Sequence, residues 1–212
     1  MIDGKLLSKG DEAILYKCND GTVLKVFYRD DSSADAFLYG EMPRHQKIAK
    51  REFENLFRAF ELGLPVPMPV GLEKVVLTDE DLRKVGQLSF RANDSYNQVI
   101  DSASLVGQER YALRRRFVPG KSLYNRIWPS IRLRRRLRAL HEKIDRAGLE
   151  LNDRMSGNYV VTPQGNIYVV NCLNLVPKKG KDSEWLNRRV ATCRAGEWLD
   201  DFVDSMKCTG LL

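Results

Sequence analysis

The sequence predicts an α+β chain of two unequal lobes, a small β-rich one followed by a short, truncated helical one. Three observations carry that expectation: alternating strand-like runs near the start, two amphipathic stretches that each run into a glycine, and a second short hairpin lying after the helices begin. With 212 residues, 43% of them apolar, the chain can bury a core as one domain or as two small lobes. A fibre, a disordered tail and a disulfide mini-protein are excluded.

Taken in order, residues 12–18 and 22–28 read as strands, and Asn19-Asp20-Gly21 between them holds the Asp-Gly pair that favours a tight turn, so the chain is expected to open with a hairpin. Residues 44–62 read as a helix with Phe53, Leu56, Phe57 and Phe60 on one face. Gly63 ends it, and Pro65, Pro67 and Pro69 keep the next stretch extended. Residues 70–77 and 109–118 are two further strands, and the polar, weakly periodic segment 78–108 between them is treated as an insertion. After the Pro119-Gly120 turn, residues 130–147 form a helix with Leu133, Leu137, Leu140 and Ile144 on one side, closed by Gly148. Residues 158–162 and 166–171 make the second hairpin around Pro163-Gln164-Gly165, and 184–206 reads as a last helix.

The net charge of +7 is local. Between Arg110 and His141 lie ten arginines and Lys121 with no acidic residue, leaving 24 positive against 28 negative charges elsewhere. Such a belt is either a solvated face or a docking face. Eleven uncompensated charges favour an anionic surface such as lipid, lipopolysaccharide phosphates or an acidic protein, and thin aromatic interleaving ranks sequence-specific nucleic acid behind it. Cys18, Cys172, Cys193 and Cys208 form no Cys-x-x-Cys pair, which argues against a zinc cluster or a disulfide framework. No window reaches the length of a membrane span and the start lacks a signal-peptide core, so we expect a reduced, cytoplasmic protein, with a peripheral place at the inner membrane or secretion without a cleaved signal left open.

Asp153 and Asn158 stand five apart in Asn152-Asp153-Arg154-Met155-Ser156-Gly157-Asn158. A carboxylate and an amide so spaced can face one pocket, although the same spacing also describes a plain turn. Asn171 lies thirteen residues further, at the expected end of the second hairpin. Upstream, Lys25 alternates with apolar neighbours in Val23-Leu24-Lys25-Val26-Phe27, which points it inward, where an ammonium needs a carboxylate. Glu52 is the expected partner, with Glu54 facing elsewhere. His141, on an apolar helix face, reads as a structural histidine, and Cys172 as a buried thiol.

In this order the chain resembles the small protein-kinase-like phosphotransferases, RIO-type kinases and bacterial lipopolysaccharide-core sugar kinases in particular. The resemblance rests on the single-glycine stretch from Lys9 to Lys17, the lysine strand around Lys25, Arg51 to Leu56 leading to Gly63-Leu64-Pro65-Val66-Pro67, Arg116 to Leu123, Asp153 to Asn158, and Val169-Val170-Asn171. It implies a two-lobed fold, with an N-lobe over 1–118 carrying the 78–108 insertion and a minimal C-lobe over 119–212. It further implies ATP with magnesium or manganese as cofactors, and as acceptor a hydroxyl of a protein serine or threonine or of a lipopolysaccharide sugar. By the same resemblance Gly10 would cover the nucleotide, Lys25 held by Glu52 would bind its phosphates, and Arg116, Phe117 and Val118 would meet the adenine. Asp153 would orient the hydroxyl, while Asn158 and Asn171 would ligate the metal. Three departures stand out: one glycine in the covering loop, Leu151 in place of a histidine, and Asn171 where an aspartate is usual. The last supports an alternative, a pseudokinase that binds nucleotide or docks partners.

Overall fold

The computed structural model describes residues 2–10, 13–28, 43–86, 105–123, 130–154 and 156–178. The chain divides into two compact units, Met1–Val176 and Pro177–Leu212. The second lies almost wholly outside the described residues, and with it the expected helix over 184–206.

The first unit opens with β1 (Gly4–Lys9), β2 (Ala13–Cys18) and β3 (Thr22–Phe27) as an antiparallel meander. The sequence reading lacked β1 and began at the hairpin. The strand carries few β-formers and exists by pairing to the edge of β2, with an irregular register between Leu6 and Ser8. The expected turn at Asn19-Asp20-Gly21 is present, with Gly21 at φ 78°.

Helix α1 (Arg44–Glu61) follows, then β4 (Pro69–Val76), α2 (Asp79–Gly86) and β5 (Glu109–Arg116). The five strands form one sheet in the order β1-β2-β3-β5-β4, so β5 inserts between β3 and β4. Every residue of β3 is buried because both faces are covered. Leu24 and Val26 join Ile2, Ile14, Tyr16, Leu77, Leu82, Val85 and Ala112 in one cluster under α2, and alternation sends Val23, Lys25 and Phe27 to the other face. Phe60, expected in the core, is 41% exposed. The inward stripe of α1 is Ala49, Glu52, Phe53, Asn55, Leu56 and Ala59, in which two polar side chains take places that a purely apolar count gives to phenylalanines.

The segment treated as an insertion contains α2. Its start is capped reciprocally, since Thr78 N–H donates to Asp81 Oδ2 at 3.1 Å and Asp81 N–H to Thr78 Oγ1 at 3.3 Å. Asp81 is wholly buried and also accepts from Ile2 N–H at 3.1 Å, which ties the start of the chain to the helix. Residues 87–104 are outside the described ones.

Beyond β6 (Lys121–Ser122), helix α3 (Ile131–Arg146) begins at Ser130, whose Oγ accepts from Leu133 N–H at 3.2 Å, and stops before Gly148 at φ 75°. Next come β7 (Leu149–Leu151), a 3-10 turn (Ser156–Asn158), β8 (Tyr159–Val161), β9 (Ile167–Val169) and β10 (Leu175–Pro177). Strand order is β6-β8-β9 in one small sheet and β10-β7 in another. The second hairpin is shorter than expected: Asn158 belongs to the turn before β8, and Asn171 lies two residues past β9. Neither β7 nor β10 was expected, since three residues carry too little periodicity to show.

Candidate functional site

Alternation along β3 buries Lys25, 7% exposed, on the face toward α1, where Glu52 is completely buried. Lys25 Nζ donates to Glu52 Oε2 at 2.6 Å, the expected pair, while Glu54 is exposed. Two positions on in a helix is a rotation of about 200°, which accounts for the difference.

From this pair a single hydrogen-bonded chain runs on. Lys25 Nζ donates to Asn171 Oδ1 at 3.3 Å, Asn171 Nδ2 to Asn158 Oδ1 at 3.0 Å, and Asn158 Nδ2 to the Asp153 carbonyl at 3.1 Å. Five residues from four parts of the sequence are thereby joined, Asp153 through its backbone.

Two residues that the sequence reading missed hold the arrangement. Asn55, one turn beyond Glu52 on the same face of α1, donates from Nδ2 to the carbonyls of Cys172 at 3.1 Å and Leu173 at 3.0 Å, fixing the chain just after Asn171. Arg115 is buried on β5 opposite Val23, so it shares the Lys25 face, and it donates to the Val170 carbonyl. Burial pushes its pKa down, opposed by the negative charge of Glu52. Both had a signal: the i, i+3 spacing from Glu52, and the period of two that places Arg115 with Leu113. The backbone finishes the frame through Val170 N–H to Asn158 O at 2.8 Å and Val169 N–H to Pro65 O at 3.0 Å.

Gly10 stands exposed between β1 and β2, its N–H bonded to Ala13 O at 2.9 Å and its carbonyl accepting from Tyr28 OH at 2.6 Å. The N–H groups of Arg116 and Phe117 are spent on Met68 O at 2.9 Å and Gly21 O at 3.0 Å, so an adenine would need other groups of that segment, where Val118 is half-buried. Lys17 lies over the Phe117 ring at 4.4 Å.

An ammonium has three donors, and Glu52 and Asn171 take two of those on Lys25, whose Nζ also lies 5.1 Å from the centroid of the Phe27 ring. A phosphate oxygen would be a suitable acceptor for the third. Toward a divalent ion the two amide oxygens would be weak ligands: each already accepts one hydrogen bond, neither carries charge, and among the described residues no cluster of three histidine, cysteine or acidic side chains exists beside them.

His141 and Cys172 behave as structural groups. His141 Nε2 meets Tyr159 OH at 2.7 Å, and burial, reinforced by Arg154 against Asp145, holds the imidazole pKa below its usual value. Cys172 is fully buried, and burial pushes its thiol up to about 12.

The architecture, an α+β arrangement of antiparallel sheets, has a counterpart among solved structures. It matches part of WbdD. A high-resolution crystal structure of WbdD aligns with a TM-score of 0.50 and 11% identity, covering 87% of this chain and 35% of that one. A medium-resolution structure, described as the bifunctional kinase-methyltransferase WbdD, gives 0.47 at 12% identity over 84% and 33%. WbdD with the kinase inhibitor LY294002 gives 0.46 at 12% over 88% and 35%. The chain thus spans about a third of WbdD, and at such identity the likeness concerns the fold alone. No protein-family model and no curated protein matches the sequence.

Proposed function

We propose that this chain is a compact kinase-like phosphotransferase that moves the γ-phosphoryl group of ATP to a hydroxyl. The observation that carries the reading is the continuous chain Glu52–Lys25–Asn171–Asn158–Asp153, which gathers residues from a strand, a helix and two loops into one site. The likeness to part of WbdD, itself described as a kinase-methyltransferase, supports it. In this reading the lobes divide near residue 118. Lys25, its ammonium oriented by Glu52 and Asn171, binds the phosphates, and Asp153 orients the acceptor hydroxyl and accepts its proton as the γ-phosphoryl leaves the β-phosphate oxygen. The acceptor is a protein serine or threonine or a lipopolysaccharide sugar, presented from an anionic surface that the exposed arginines of α3 would face.

The neutral Asn158–Asn171 pair favours a second reading, a pseudokinase that holds nucleotide without efficient transfer. Nucleotide binding and transfer of labelled γ-phosphate, measured with magnesium and with manganese for the parent, Asn171→Asp and Asp153→Ala, separate the two. A phosphotransferase gains metal-dependent affinity and turnover of about tenfold or more in Asn171→Asp, which restores a negative ligand, and loses transfer but not binding in Asp153→Ala. Transfer that survives Asp153→Ala removes the catalytic assignment. Binding without transfer in all three establishes the pseudokinase, and no binding in any of them refutes both.

A further inference from the structure

The basic belt is not one surface. Arg110 contacts His45 and Gln108, Arg114 pairs with Glu73 and Asp20, Arg115 holds the Val170 carbonyl, and Arg136 donates to the Gly165 carbonyl at 2.6 Å. These four are spent inside the fold. Others are not, and two of them converge with a third arginine from outside the belt. A cleft of about 430 Å³ along α3 is lined by Arg134, Leu137, Arg138 and His141, by Glu142 and Asp145 at its far end, and by Arg154 from the loop after β7. None of the guanidinium groups of Arg134, Arg138 and Arg154 has a hydrogen bond or ion pair among the described residues.

We propose that this cleft is a binding site for a phosphomonoester group, held by Arg134, Arg138 and Arg154, distinct from the site at Lys25. Arg134 and Arg138 are one turn apart on one helix face, and Arg154 comes from a separate segment, so three arginines line one volume. A carboxylate satisfies one such fork; a tetrahedral dianion with three acceptor oxygens satisfies several at once. The two carboxylates sit one to two turns further along the helix, which confines an anion to the Arg134 end. His141 forms part of the wall, and its pKa, depressed by burial and by Arg154, should rise when a dianion enters.

His141 and His45 are the chain's two histidines, so nuclear magnetic resonance reads the cleft directly, with His141→Gln assigning the signal. Titration with inorganic phosphate at pH 7.5 should give saturable shifts and a higher His141 pKa. Affinity should fall about tenfold in each of Arg134→Gln, Arg138→Gln and Arg154→Gln, and stay unchanged in Arg135→Gln, whose residue lies outside the cleft. Glucose 6-phosphate and vesicles of phosphatidic acid in phosphatidylcholine, run on the same variants, decide whether the phosphomonoester comes on a soluble molecule or on a lipid headgroup. Equal weakening by Arg135→Gln, which would mean a diffuse field, or no saturable response to any of the three probes overturns the proposal.

Discussion

Glu52 shows how much one carboxylate can organise. Its Oε2 holds Lys25, its charge stabilises the buried Arg115, and its Oε1 is buried with no hydrogen-bond partner among the described residues. Removing it leaves two buried cations uncompensated. Glu52→Ala should therefore cost about 3–5 kcal/mol, read as a lower urea midpoint at unchanged slope, and Lys25→Met with Glu52→Leu together should cost less than Glu52→Ala alone. A double variant as unstable as the single one would show that packing rather than charge sets the cost. The pairing itself was legible in the sequence, because an inward strand lysine requires a carboxylate. The roles of Asn55 and Arg115 were not read, because an asparagine and one arginine of three in a row look like surface residues until the backbone they hold is in place.

Helices α1 and α3 were legible from spacing and caps, and both end within a residue of expectation. The second hairpin owes its position to a close approach that only the folded chain reveals: a Cβ on Gly120 would lie 2.5 Å from the Val161 carbonyl, where β6 meets β8. Gly120→Ala should destabilise by about 1–3 kcal/mol through overpacking. It should also move the amide resonances of residues 158–161 while leaving those of β1 and β2 in place. Shifts spread evenly over the sheet would contradict that local account.

Across the molecule, buried protonated groups set a pH window. The thiol of Cys172 and the hydroxyl of Tyr159 are each raised to about 12 by burial, and Tyr16 is also pushed up. In the unfolded chain the thiol loses its proton near its ordinary 9.0, so above that pH the unfolded state binds fewer protons than the folded one and stability falls until about 12. His141 works at the other end. Its lowered pKa means that the unfolded chain takes up a proton below the ordinary 6.5 before the folded chain does, so stability also falls as the solution becomes acidic. Urea midpoints from pH 5 to 11 should pass through a plateau near neutrality, and Cys172→Ala should flatten the alkaline limb where it begins. An alkaline limb unchanged in that variant would assign the loss to the tyrosines.

The sequence by itself determined what depends on neighbours within a turn or a pleat: the turn at Asp20-Gly21, the extents of α1 and α3 and the glycines that end them, and the inward direction of Lys25. Tertiary structure alone decided which segments meet. The insertion of β5 between β3 and β4, the irregular edge strand β1, and the contact of Lys25 with Asn171 across 146 positions depend on long-range pairing that no local period records. It also decided how Asn158 and Asn171 are used. Read along the chain they are two separate amides; in the fold Asn171 Nδ2 donates to Asn158 Oδ1 at 3.0 Å, because a buried amide oxygen takes a donor within reach.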